Sequence, residues 1–331
     1  MVCIYCRQEK ARSAFNSEHV VSRSLGTFEN NITLQSVCSD CNKYLGDELD
    51  LLIGRSSMEA LLRFVHGVKP KSLVDQLMYK NLVVTYSGQE PWKGAKLKVI
   101  VEDDELVVDL LPQVGLELQG KGRVFVLLDE LEELSGNLKP QLVPGRSVFL
   151  IHKDDGDKSL LLKELERLGI SFTPSGEAPP SDIESIGGPN LSISCQQVDL
   201  IRRGLCKVAF EYFTSQMGSA LALRFDFDPI RSYILTGQKP DYRFFLGAHP
   251  EMDMRKGKIA QTGGHHVLLT EWGPDLQSIV AQIELFGTTS YRIVLAERYG
   301  GLFRADLPRG HYFDLETRKI YEMRKGRIIV P

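Results

Sequence analysis

The sequence predicts an α+β protein: a small metal-stabilised N-terminal segment, then a mixed α+β C-terminal region with mainly antiparallel strands. Three observations carry this. Four of the six cysteines fall within the first forty-one residues, as Cys3-x-x-Cys6 and Cys38-x-x-Cys41. Beyond residue 81, short segments alternate apolar and polar residues and are separated by turn residues, as in hairpin-linked strands. Between them stand stretches whose apolar residues recur at three and four, the spacing of helices that pack on a core.

Size and charge bound the function. A chain of 331 residues exceeds what one core usually serves, so two or three domains are expected. Hydrophobic residues at 43% and charged residues at 25% are the proportions of an ordinary globular protein. A formal net charge of -3 gives no global attraction to phosphate, so any nucleic-acid contact has to come from a local basic surface. No run approaches the roughly 20 apolar residues of a membrane span. Cys3 and Cys6 stand where a signal peptide would need its charged and apolar stretches, and a cytoplasmic location is expected.

In a reducing compartment, clustered cysteines are metal ligands rather than disulfides. Each Cys-x-x-Cys pair is a knuckle that gives two thiolates to one tetrahedral zinc, and two knuckles close the site, so the zinc is structural. Cys195 and Cys206 lie far from these and are read as helix-borne thiols, in the core or half-buried. A segment this short cannot bury enough apolar surface by itself, so the zinc stands in for a core and fixes what lies between the knuckles. There, Glu18 and His19 precede the β-prone Val20 and Val21, and residues 22–26 form a turn-rich stretch. Residues 42–52 have helical character, with Asn42 at the first turn. An acid and an amide can hold a hard divalent ion through oxygen while leaving an imidazole free.

Cys3, Cys6, Glu18, His19, Ser24, Leu25, Gly26, Cys38, Cys41, Asn42 and Gly46, in that order, resemble the zinc-braced ββα-metal nucleases of the HNH family. The branch is the one that holds phage Holliday-junction endonucleases and the HNH endonuclease 5 group. The resemblance implies a ββα-metal domain over residues 1–55 with a structural zinc on Cys3, Cys6, Cys38 and Cys41. It also implies a catalytic Mg²⁺ or Mn²⁺ held by Glu18 and Asn42, with His19 as general base. Two positions depart from the family: Glu18 stands where Asp is commoner, and Thr33 where a central Asn often stands. Asn30 and Asn31 are close by, and Asn31 is the candidate to orient the His19 ring. In the implied reaction His19 takes a proton from the attacking water and the ion stabilises the charge that accumulates on phosphate oxygens, leaving 5′-phosphate and 3′-hydroxyl ends.

The rest of the chain is expected to divide into a helical connector at 56–80, an α+β domain at 81–172, a loop or linker at 173–190 and a C-terminal α+β recognition or regulatory domain at 191–331. The connector reads as two helices broken at Gly67 and Pro70, with His66 at a helix end. In the α+β domain, the acidic run from Glu102 to Glu105 is a hairpin turn around Asp103-Asp104, and a strand over 147–155 is followed by an amphipathic helix over 157–170 capped by Gly169. Val198, Ile201, Leu205, Val208 and Tyr212 form a core-facing stripe, and Arg202, Arg203 and Lys207 are read as its solvated basic face. His265 and His266 adjoin on a strand and so point to opposite faces, which excludes a shared ion.

Two classes of function follow. The first is a metal-dependent endonuclease acting on DNA, in restriction or antiphage defence, with the C-terminal region reading the substrate, a signal ligand or a partner protein. RNA stays open as the substrate, since the same site would cut it. One HNH site cuts one strand, so a homodimer is expected for double-strand breaks. The second class is a non-catalytic zinc ribbon that binds nucleic acid, in which Glu18, His19 and Asn42 only shape the fold.

Overall fold

The computed structural model describes residues 1–55, 57–70, 82–88, 92–102, 105–132, 141–143, 147–170, 173–178, 191–195, 198–250, 264–272, 277–287, 289–299, 307–324 and 327–328. The second connector helix, the Asp103-Asp104 turn and residues 179–190 of the expected linker lie outside them. The chain forms two units, one of Met1–Pro70 with Gln197–Pro331 and one of Lys71–Gln196. The expected boundary after residue 55 and the expected linker at 173–190 are therefore not where the units part. The two ends of the chain make unit 1 together, and unit 2 is the stretch between them.

In unit 1, a two-residue strand β1 (Glu18–His19) pairs antiparallel with β2 (Thr33–Leu34). After Cys38, which has the extended conformation of an N-cap, the chain enters α1 (Ser39–Leu45), a π-helical stretch (Gly46–Asp50) and α2 (Leu51–Arg55), one helical run in three parts. The short helix α3 (Met58–Val65) follows, with the Ser57 side chain accepting from the Ala60 N–H. It ends at His66, as expected, whose ring stacks on Phe286 at 5.3 Å. Gly67 then takes a left-handed conformation at φ 65°, which glycine adopts without steric cost.

Unit 2 holds two four-stranded sheets. One has the order β10-β3-β4-β5, from β3 (Leu82–Tyr86), β4 (Lys96–Glu102), β5 (Glu105–Leu110) and β10 (Leu191–Cys195). The other has the order β7-β6-β8-β9, from β6 (Gln113–Leu118), β7 (Gly122–Leu127), β8 (Ser147–Ile151) and β9 (Thr173–Ala178). Helix α4 (Asp155–Arg167) connects β8 to its parallel neighbour β9 and buries Leu161 and Leu165, and Gly169 follows it at φ 63°. The start of the expected linker is thus a strand. Pro174 and Gly176 gave it the look of a loop, but both are tolerated in β9, which ends the sheet order and pairs with a register shift. Cys195 lies on β10 and not on a helix.

The C-terminal part of unit 1 opens with the long helix α5 (Val198–Met217), continues through α6 (Ser219–Ala222) and α7 (Asp228–Thr236), and ends in an antiparallel sheet. That sheet has the order β11-β14-β13-β12-β15-β16-β17. Its strands are β11 (Phe245–Pro250), β12 (His265–Trp272), β13 (Ser278–Leu285), β14 (Thr289–Ala296), β15 (Arg309–Phe313), β16 (Ile320–Arg324) and β17 (Arg327–Ile328). One apolar core runs from Ile4, Val20, Leu25 and Leu49 through Phe210 and Phe213 to Ile283 and Phe313. The N-terminal segment therefore completes its core with residues from the other end of the chain.

Helix α5 departs from the expected amphipathic helix. Every residue from Arg203 to Thr214 is buried, while Val198, placed in the core stripe, is exposed. The basic face is not solvated: Lys207 is wholly buried, and Arg203 gives its guanidinium to the carbonyls of Ile234 and Leu235. A helix enclosed on all sides is central rather than superficial. At Gly204 the enclosure is tight, since a Cβ there would meet Ile53 Cδ1 at 2.5 Å. His265 and His266 behave as expected of strand neighbours. His265 is buried, 3.0 Å from the Leu25 carbonyl through Nε2, and His266 lies against Tyr312.

Candidate functional site

The four N-terminal cysteines bring their sulfurs within 4.8 Å of one another. Tetrahedral zinc with bonds of about 2.3 Å needs sulfurs about 3.8 Å apart. The Cys6 and Cys38 sulfurs are 3.8 Å apart. The Cys38 amide donates to Cys3 Sγ at 3.4 Å, and the Lys10 ammonium to Cys38 Sγ at 3.4 Å, bonds that suit thiolates. A bond from Cys41, with others from the backbone, draws Cys3 down to about 4, while Cys41 is pushed up by the same bond and by burial. The donor set fits a structural zinc, and it is the one cluster of three or more His, Cys, Asp or Glu of metal-holding geometry among the described residues.

The knuckle is bolted to the C-terminal part. Arg231 of α7 donates through Nε to the Ile4 carbonyl at 2.6 Å and bonds Asp228 and the Ala222 carbonyl with its other nitrogens. Arg7, at φ 59° just after the knuckle, reaches the Leu223 carbonyl at 2.6 Å and Asp228 at 2.9 Å.

On β1 the two residues of the Glu-His pair part company, as strand neighbours do. His19 is half-buried, and its Nδ1 lies 2.7 Å from Asn31 Nδ2. Burial and then the charge of Arg23 hold the imidazole below its ordinary value, against the opposing pull of Glu18. Glu18 points inward, buried, with Oε1 accepting from Lys207 Nζ at 2.6 Å. The same ammonium donates to Asp50 Oδ2 and to Glu211 Oε2, each at 3.1 Å, and Tyr5 donates to Glu211 Oε1 at 2.9 Å.

The remaining expected residues lie elsewhere. Asn42, on the first turn of α1, donates through Nδ2 to Asn16 Oδ1 at 2.9 Å on the surface. Asn30 clamps β16, giving Nδ2 to the Ile320 carbonyl at 3.0 Å and accepting from the Ile320 amide at 2.9 Å. His19 and Asn31 are therefore brought together, and so are the four cysteines. Glu18 and Asn42 are not found on a common partner: one is committed to an ammonium and the other to an amide.

Comparison with known proteins assigns this segment. Residues 3–58 match the HNH endonuclease family. The match covers the cysteine cluster, His19, Asn31 and Asn42, and leaves α5 and the seven-stranded sheet outside it. No curated protein and no solved structure gives a significant match to the chain. A segment of the HNH endonuclease family implies nucleic acid as the molecule it meets, and no helix among the described residues is long and apolar enough to cross a membrane.

Glu211, Asp50, Tyr5 and Asn16 escaped the sequence reading, and Lys207 was placed on a solvated face. Lys207 and Glu211 stand four apart on one helix, a spacing that signals a pair but not its burial. Nothing in the local sequence points from either to Glu18, which is 189 residues from Lys207.

Proposed function

We propose that the protein is an endonuclease that hydrolyses the phosphodiester bonds of DNA, with His19 as general base. The observation that carries this reading is the His19 imidazole, held by Asn31 within a four-cysteine frame of the HNH family. A neutral imidazole takes the proton of the attacking water, and burial favours the neutral form. Asn31 sets which nitrogen is free. With Nδ2 toward the ring, Asn31 leaves the imidazole proton on Nε2 and its own Oδ1 buried without a partner. A half-turn of the carboxamide puts the oxygen on an Nδ1–H and frees Nε2 as the base. Arg23, exposed and close enough to act on the His19 charge, is suited to a phosphate contact.

The resemblance implies Mg²⁺ or Mn²⁺ on Glu18 and Asn42. The side chains as placed do not fit that ion as a ready pair, because Glu18 Oε1 is held by an ammonium. No step of the reaction is therefore routed through it. The same engagement of Glu18 favours a second reading, in which the segment binds nucleic acid without cutting it. Restriction or antiphage defence, a role for unit 2 and the C-terminal sheet in reading a signal or partner, and a homodimer that pairs two single-strand cuts all belong to the proposal.

The test is nicking of supercoiled DNA, and in parallel of a single-stranded RNA, by wild type and His19→Ala with Mg²⁺ or Mn²⁺ supplied. His19→Ala is expected to bind DNA and keep its zinc while cleavage falls by roughly 10² to 10⁴. The acid limb of the wild-type pH profile is expected below the ordinary imidazole value, since the base form of His19 persists to lower pH. Equal cleavage by the two proteins would remove His19 from the reaction. Binding without cleavage in the wild type would select the second reading.

A further inference from the structure

We propose that Lys207 is a positioning residue for the cleavage site, holding the strand that carries His19 in place against the helix that carries Asn42. The proposal rests on the nuclease reading. An ammonium has three N–H donors and no acceptor. Here all three are spent on carboxylates from different elements: Glu18 of β1 at 2.6 Å, Asp50 of the π-helical stretch at 3.1 Å and Glu211 of α5 at 3.1 Å. Glu18 adjoins His19, and Asp50 lies about two turns beyond Asn42 on the same helical run. Tyr5, inside the first zinc knuckle, joins the group through Glu211. One side chain from α5 thus ties together the strand of the base, the helix of Asn42 and the metal knuckle.

The cluster is costly as a device for stability alone. Lysine is almost never fully buried, and replacing buried ion pairs by apolar groups is commonly neutral or favourable. The Lys207 side chain is 0% exposed, with Glu18 at 8% and Asp50 at 17%. A tripod fixes direction as well as distance, which apolar packing does less well, and a misplacement of about 1 Å at a reacting group can cost about 10²-fold in rate. It also makes α5, which lies outside the family match, part of the machinery of the HNH segment.

The test uses the full-length, zinc-loaded protein and two variants, Lys207→Met and Asp50→Asn. Single-turnover cleavage, the DNA concentration at half-saturation, zinc content, thermal melting and the His19 ring resonance in NMR are measured for each. The cleavage rate is expected to fall about 100-fold in Lys207→Met and about 10-fold in Asp50→Asn, with half-saturation within about twofold of wild type. Zinc should stay stoichiometric, and the His19 ring signal should shift in both variants. Folded variants that cut within about twofold of the wild-type rate, with an unmoved ring signal, would overturn the proposal. If Lys207→Met does not fold, Asp50→Asn, which leaves two of the three bonds, decides the matter. A wild type that cuts neither DNA nor RNA would overturn the nuclease reading instead, and the ring signal alone would then decide whether Lys207 positions His19.

Discussion

Unit 2 buries Val114, Leu116, Val126, Val148, Leu150, Leu161 and Leu165 in one aliphatic cluster, and its buried Gln113 is satisfied by the backbone of Lys96 and Leu111. Unit 1 buries, beside a larger apolar core, Glu18, Lys207, Glu211, Arg203, Arg231 and His265. Aliphatic packing tolerates small shifts, whereas each buried charge demands particular partners at particular distances. The difference places specificity of position in unit 1, where the HNH segment lies. It also follows how each unit is assembled, since unit 2 comes from one stretch of chain and unit 1 from two ends that meet through Arg231–Ile4, Arg7–Asp228 and Lys207–Glu18.

The comparison breaks most readily at Lys207. Lys207→Met strands buried carboxylates and is expected to cost unit 1 about 3–5 kcal/mol, with no change in unit 2. Calorimetry with the two transitions resolved would show whether only one moves. Next comes Gly204→Ala, where the added methyl would meet Ile53 Cδ1 of α2 at 2.5 Å. A loss of about 1–3 kcal/mol is expected in urea melts of unit 1, and an unchanged midpoint would mean that α5 and α2 are not so tightly apposed.

A smaller effect is the pH dependence of unit 1. Burial pushes the Glu211 carboxyl up to about 8, with Lys207 acting in the opposite direction. The folded state then binds this proton more tightly than the unfolded chain does. Its contribution is full below the unfolded carboxyl value near 4.5 and is lost as pH rises through about 8. His265, held down to about 4 by burial, works the other way, but only below the ordinary imidazole value of 6.5. Between pH 6.5 and 8.5 the loss from Glu211 runs against the zinc-binding thiols, of which Cys3 is held down to about 4 and favours the folded state as pH rises, so the Glu211 effect is read as a difference: wild type should lose melting temperature relative to Glu211→Gln across this interval, and a constant difference would contradict it.

Much of the sheet was legible because strands half-buried on one face alternate in sequence, as β13 does from Ala281 to Leu285. Strand β6 is buried along most of its length and shows no such alternation, so it went unread. The cysteine spacing and the Glu-His pair gave the frame of the site, because knuckle geometry is local in sequence. Charge was misread where its partners are distant. Lys207 looked solvated because Glu18 and Asp50 stand 189 and 157 residues away. The strand argument that separated His265 from His266 applies equally to Glu18 and His19, and it sends one carboxylate into the core and leaves the imidazole at the site.

Hydrogen exchange on the full chain, with zinc bound and after its removal by a chelator, tests most directly whether the two chain ends form a single zinc-braced unit. Zinc loss should strip protection together from residues 18–21, from α5 and from β13 and β14, while β6 and β7 of unit 2 keep theirs. Loss confined to residues 1–55, with α5 and the seven-stranded sheet still protected, would show that the HNH segment folds apart from the C-terminal half and would contradict the account.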